Sequence, residues 1–197
     1  MPDSRAVSSA ALFTSDRERR LWSWTLAVVV AIYSTLGLAR SLAWTARESD
    51  LGVAFFVLGM LLVLATVVTQ GLKKRPHGTE IGVALGVAAA YLMVLVRMAS
   101  PTERSHLMEY GVLAVFIHEA LMERASQGRR VPVPALLAIL ATSVVGALDE
   151  GIQAFLPIRV FDPVDILFNV LAAVMAVSAS LVLGWARRRC AAGVGSR

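Results

Sequence analysis

Ile166-Leu-Phe-Asn-Val-Leu-Ala-Ala-Val-Met-Ala-Val-Ser-Ala-Ser-Leu-Val-Leu-Gly-Trp-Ala186 runs for 21 residues without an Asp, Glu, Lys, Arg or His. At about 1.5 Å of rise per residue, a helix of this length crosses the roughly 30 Å hydrocarbon core of a bilayer. Four further runs share the property: Leu21 to Ala39, Leu51 to Leu72, Ile81 to Val96 and Val131 to Leu148. The third gains Met98 once Arg97 snorkels to the interface. The fourth carries Pro132 and Pro134, which the pattern places in its first turn, where a missing N–H costs little. A sixth segment, Leu107 to Met122, is apolar apart from Glu109, His118 and Glu119. Backbone polar groups in lipid must be satisfied within the segment, so it too reads as a helix.

Composition agrees. Hydrophobic residues make up 57% of the 197 and charged residues only 17%, against about 25% in soluble domains, and the mean hydropathy is +0.68. The expectation is an all-α polytopic bundle of about six spans. Residues 1–20 form a tail, loose as far as Asp16. Residues 21–99 carry three spans, 100–187 three more, and 188–197 a second tail. The first apolar run, 19 residues long and followed by others, exceeds a signal-peptide core of about 7–15 residues and reads as a retained helix.

Lys and Arg placement orients the chain. With alternating sides, Arg5, Arg17, Arg19, Arg20, Lys73, Lys74, Arg75, Arg124, Arg129, Arg130, Arg187, Arg188, Arg189 and Arg197 fall on one side, 14 of the 19 basic residues. Arg40, Arg47, Arg97, Arg104 and Arg159 fall on the other. The basic side is expected to be cytoplasmic, with both termini there. The isoelectric point near 10.1 then reflects topology and anionic lipid, not nucleic acid. Trp22, Trp24, Trp44 and Trp185 fall near span ends, as an aromatic belt requires. Gly82 to Ala90 is rich in small residues that suit close helix packing. His118 and Glu119 are expected to be interfacial or packing residues. Cys190 is the chain's single cysteine, so no intramolecular disulfide forms.

The remaining polar residues concentrate in two connections on the outer side. His106, Glu109 and Tyr110 stand at i, i+3 and i+4; Asp149 and Glu150 precede Gln153 by four and three; Asp162, Asp165 and Asn169 stand at i, i+3 and i+7. Each set shares a helix face. Ionisable groups at membrane depth face a bundle interior or a wet cavity. One shared polar pocket follows, with Arg104 and Arg159 at its mouth.

The series Glu103-Arg104-x-His106-x-x-Glu109-Tyr110, then Asp149-Glu150-x-x-Gln153, then Arg159-x-Phe-Asp162-x-x-Asp165-x-x-x-Asn169 resembles the VanZ-like membrane proteins. It covers roughly Pro101 to Met175. Where family members often have a Gly soon after the Asn, this chain has Ala172 and Ala173. The resemblance implies a bacterial inner-membrane protein with a link to glycopeptide (teicoplanin) resistance, and it supplies no reaction.

The residues lead to a protein that binds, and in an enzymatic version modifies, a lipid-linked or cell-wall anionic molecule at the outer leaflet. His106, Glu109, Asp149 and Glu150 are the candidate acids and bases. Arg104, Tyr110, Gln153, Arg159, Asp162, Asp165 and Asn169 are the candidate binding residues, the guanidinium fork suiting phosphate or carboxylate. Carboxylates beside a histidine suit a hard divalent cation such as Mg²⁺; the alternative is a salt-bridged network. No zinc motif, phosphate loop or nucleophile elbow is present, and no cofactor follows. The competing functions are a non-catalytic envelope scaffold or antibiotic-access protein, and a small transporter. Against transport, the ionisable cluster lies on one side, without the paired broken helices of inverted repeats.

Overall fold

The computed structural model describes residues 12–47, 78–97, 101–155 and 162–194. Among them are five helices and no strand: α1 (Asp16–Arg47), α2 (Gly78–Arg97), α3 (Pro101–Ser126), α4 (Pro134–Gln153) and α5 (Pro163–Val194). The expected span over Leu51 to Leu72 lies outside the described residues.

The all-helical expectation holds. Among the described residues, two helices are long and apolar enough to cross a membrane, α4 and the Pro163–Arg189 part of α5. A third apolar stretch, Glu80–Val94 in α2, is shorter. In α4 the i+4 stripe Leu136, Leu140, Val144 and Leu148 is exposed, whereas Ala138, Thr142, Gly146, Asp149, Glu150 and Gln153 are buried. Leu167, Leu171 and Val174 of α5 also face outward while Asn169 is buried. A surface helix in water has the opposite polarity, aliphatic inside and polar outside.

Helix α3 is the centre of the bundle and packs on α1, α4 and α5, while α2 lies against α5. Leu107, Tyr110, Leu113, Ala114 and Ile117 of α3 form the core with Ile32, Ala138, Ala172, Ala173, Ala176 and Val177. The α3–α5 seam is made of small residues: a Cβ at Gly111 would meet the Ala176 Cβ at 3.9 Å. Small side chains let helix axes approach and gain dispersion contacts, which drive association where lipid removes the hydrophobic incentive. Ala172 and Ala173 are fully buried here.

The turn from α3 to α4 is set by glycine. Gly128 has φ 82°, its N–H donates to the Ala125 carbonyl (3.1 Å), and the Arg129 N–H donates to the Arg124 carbonyl (3.3 Å). These are the two bonds of a Schellman cap, which needs a left-handed residue after the helix. The expected position of Pro132 is corrected. Helix α4 begins at Pro134, so only that proline occupies its first turn. Val133 precedes it at φ 43°, a left-handed conformation that is strained for a β-branched residue.

At the opposite end from Tyr110, α1 is clasped to α3. Ser15 caps the start of α1, its Oγ accepting from the Glu18 N–H (3.0 Å). Glu18 Oε2 accepts from the Thr14 N–H (2.6 Å) and hydroxyl (2.5 Å), and Glu18 Oε1 accepts from Arg124 (3.1 Å). The Ser15 hydroxyl and Arg17 donate to Glu123 (2.9 and 2.7 Å), and Arg17 also reaches Glu119 (3.0 Å). The expectation of a loose tail through Asp16 is therefore corrected: Thr14 and Ser15 are tied into the helix start. Glu119 is an ion-pair partner, and buried His118 sets Nδ1 3.2 Å from the Ser180 Oγ.

Burial alone raises the carboxyl pKa of Glu18, but the hydrogen bonds from Thr14 and the charge of Arg124 outweigh it and hold the group below its usual value. The Ser15 and Arg17 hydrogen bonds lower Glu123 likewise. A carboxylate depressed in the folded state contributes stability that is complete above its unfolded pKa, about 4.3, and is lost as pH falls through the folded value. Thermal melts of the detergent-solubilised protein should hold their midpoint from pH 7 to about 5 and fall below about 4.5. A Glu18→Gln, Glu123→Gln double variant, less stable at pH 7, should lose less on acidification. Equal acid sensitivity in the two proteins would remove the clasp as its cause.

Candidate functional site

Three helix ends meet at the other end of the bundle: the start of α3, the end of α4 and the start of α5. His106 and Tyr110, one turn apart on α3, are both buried, and their rings stack with centroids 5.8 Å apart at 10°. The Tyr110 hydroxyl donates to Asp149 Oδ2 (2.7 Å). Gln153 Nε2 donates to Glu150 Oε1 (3.1 Å), and the Asp162 N–H points at Glu150 Oε2 (3.5 Å). His106 Nε2 lies 3.7 Å from Asp165 Oδ2. Ligating atoms of His106, Asp149 and Glu150 all fall within 4.8 Å of one another.

Asn169 sits one turn further along α5, fully buried against the glycine of α4: a Cβ at Gly146 would come 2.8 Å from both Asn169 Cβ and Nδ2. The amide thus sits on bare backbone, and neither of its polar atoms has a hydrogen-bond partner. Thr142, one turn below Gly146, is also buried with an unpartnered hydroxyl. The Tyr33 hydroxyl of α1 donates to the Val145 carbonyl (3.1 Å), fixing α1 beside this region.

His106, Tyr110, Asp149, Glu150, Gln153, Asp165 and Asn169 therefore gather at one end, as their spacing predicts. Three details differ. Gln153 pairs with Glu150, three residues away, because Asp149 is taken by Tyr110. Glu109 is only half-buried, whereas His106 and Tyr110 are buried. Asp162 is exposed and acts as the α5 N-cap: Oδ1 accepts from the Val164 N–H (2.8 Å) just before Pro163, where a cap acceptor is needed. Arg159 and the side chain of Arg104 lie outside the described residues.

Gly146, Thr142 and Tyr33 are site neighbours that spacing did not single out. The available signal was faint: a glycine four residues after Thr142 and a lone Tyr within an apolar run.

Chemically the cluster offers carboxylates, an imidazole and a phenol, screened from water. Tyr110 and Gln153 supply neutral donors that orient Asp149 and Glu150. The His106–Asp165 approach can steady the ring for proton transfer. No serine, threonine or cysteine nucleophile stands in the described cluster. No family model, curated protein or solved structure matches this chain. The likeness to VanZ-like proteins rests on the residue series alone.

Proposed function

We propose that this chain is a six-span protein of the bacterial inner membrane, VanZ-like, with both termini cytoplasmic, and that its outer-end polar pocket binds a lipid-linked or cell-envelope anionic molecule. One observation carries this reading: buried polar side chains from three helices converge at one bundle end while aliphatic side chains cover the outside of α4 and α5. Polar groups are costly in lipid and are retained where they serve a ligand, an ion or a partner. Arg104 and Arg159 hold the anionic group, and His106 with Asp165 is the acid–base pair if the ligand is also transformed.

A second reading, a non-catalytic envelope scaffold, draws on a specific feature. Asp149 and Glu150 are each already bonded within the protein, as in a purely structural network.

The test is envelope-lipid profiling and teicoplanin susceptibility of a deletion strain complemented with wild type, His106→Ala or Asp165→Asn. The expected result is an anionic envelope species that changes on deletion, is restored by wild type, and is not restored by either variant at equal membrane abundance. Full restoration by both variants overturns the pocket reading in favour of the scaffold. Reporter fusions should read cytoplasmic after Arg75 and Arg130 and external after Arg47, Ser100 and Pro157; a cytoplasmic signal at Ser100 would sink the six-span topology.

A further inference from the structure

We propose that His106, Asp149 and Glu150, with Asp165 beside the imidazole, form a binding site for one divalent cation of the Zn²⁺ or Mn²⁺ kind. The site deepens the function proposed above, because a cation here supplies an anionic head group with its counter-charge. It rests on that reading only for this last step, since the cation site itself stands on geometry.

Three observations converge on it. The first is spacing: one ligating atom from each of His106, Asp149 and Glu150 lies within 4.8 Å of the others. Ligands about 2.1 Å from a tetrahedral metal stand roughly 3.4 Å apart, so the set needs to draw in by up to about 1.4 Å per pair. These residues stand within two turns of the start of α3 and the end of α4.

The second is the imidazole itself. His106 is 5% exposed, and its Nδ1 has no hydrogen-bond partner. Its Nε2 is 3.7 Å from Asp165, beyond hydrogen-bond length. The ring thus buries one nitrogen, Nδ1, without a partner among the described residues, although burying an unbonded polar group costs about 1–3 kcal/mol in proteins. A metal bond to one nitrogen, with Asp165 closing on the other, satisfies both. A carboxylate on the far nitrogen of a ligating histidine is the usual way its orientation is fixed.

The third is the support behind the carboxylates. Tyr110 holds Asp149 Oδ2 and Gln153 holds Glu150 Oε1, both neutral donors on buried elements. These two bonds fix the direction in which the carboxylate oxygens point. The mixed nitrogen and oxygen donor set selects the metal: imidazole favours Zn²⁺ over Mg²⁺ or Ca²⁺, and Mn²⁺ accepts both donor kinds.

The test uses the full chain purified in detergent, in a Cys190→Ser, His77→Ala background that removes the single thiol and a histidine elsewhere. After stripping with chelator, the protein is titrated with Zn²⁺ and, separately, with Mn²⁺. One equivalent per chain should bind, and His106→Gln and Glu150→Gln should each weaken binding by about ten-fold or more. Glu119→Gln, at the opposite end, should leave it unchanged. Gel filtration and melting without metal establish that each variant is folded. If the site variants do not fold, X-ray absorption of the zinc-loaded parent decides: nitrogen and oxygen ligands at about 2.0–2.2 Å with an imidazole signature support the site, and a shell without imidazole overturns it. Absence of binding tighter than about 100 µM for both metals, or undiminished binding by both folded site variants, also overturns it. A protein that binds zinc while the complemented strain shows no envelope change keeps this site and loses the anionic-ligand reading; the reverse result separates the two in the other direction.

Discussion

Gly146→Ala should lower the melting temperature of the detergent-solubilised protein by about 4–8 °C, equivalent to about 2 kcal/mol for a chain of this size. The cause is one methyl group in a place with no room. The added Cβ would stand 2.8 Å from Asn169 Cβ, 2.8 Å from Nδ2 and 3.0 Å from Cγ. Rotating the asparagine can relieve the contacts to Nδ2 and Cγ, but not the first, because Cβ is fixed by the α5 backbone. The helices must therefore separate, and the α4–α5 seam loses dispersion contacts along its length. Alanine is the better helix former by nearly 1 kcal/mol, so propensity alone predicts the opposite sign. Asn169→Ala should rescue little, since it keeps the Cβ. Asn169→Gly should rescue more of the clash, net of its own helix penalty, and a double-mutant cycle should show coupling of about 1 kcal/mol or more. The site should respond too, because Asp149 and Asp165 are each one turn from the pinch and belong to the two helices forced apart. An unchanged melt in Gly146→Ala would mean that α4 and α5 do not approach at this point.

The same pair shows what could be read in the sequence and what could not. The polar stripes were legible because helical periodicity is strict: His106 with Tyr110, and Asp165 with Asn169, share faces whatever the bundle does. Their meeting at one end was legible because antiparallel helices bring every second connection to the same end of a bundle. Pairing within the cluster was not legible. Gln153 is equally placed by spacing for Asp149 or Glu150, and only the arrival of Tyr110 from another helix decides between them. Asp162 read as a pocket residue, yet the proline after it makes it a helix cap, a role the Asp-Pro pair signals locally. Gly146 was one of many glycines until a helix placed Asn169 over it. Among the described residues the apolar runs located helices but misjudged a start, because apolarity continues through Val131 to Val133 while the backbone enters the helix only at Pro134.

The opposite end was underread for a related reason: basic residues near a span explain themselves as topology, which hides any second use. Glu18→Ala tests that second use and should be the most damaging substitution in the clasp, at about 3 kcal/mol, or about 6–12 °C of melting temperature. Its side chain has no exposed surface, against 34% for Arg124 and 56% for Arg17. Removing it leaves the Thr14 N–H and hydroxyl without their acceptor and Arg124 without its charge partner. Arg124 can turn to solvent, which keeps the cost below that of a sealed ion pair. The loss also frees Thr14 from the first turn of α1, the part that carries Arg17 to Glu123. Glu18→Gln retains an acceptor without the charge and should cost roughly half as much. Arg17→Ala, on the exposed side of the same network, should cost under about 1 kcal/mol. That order, Glu18→Ala then Glu18→Gln then Arg17→Ala, is the discriminating result. If Arg17→Ala is the most damaging of the three, the clasp is held by its exposed ion pairs, and Glu18 serves only as a helix cap.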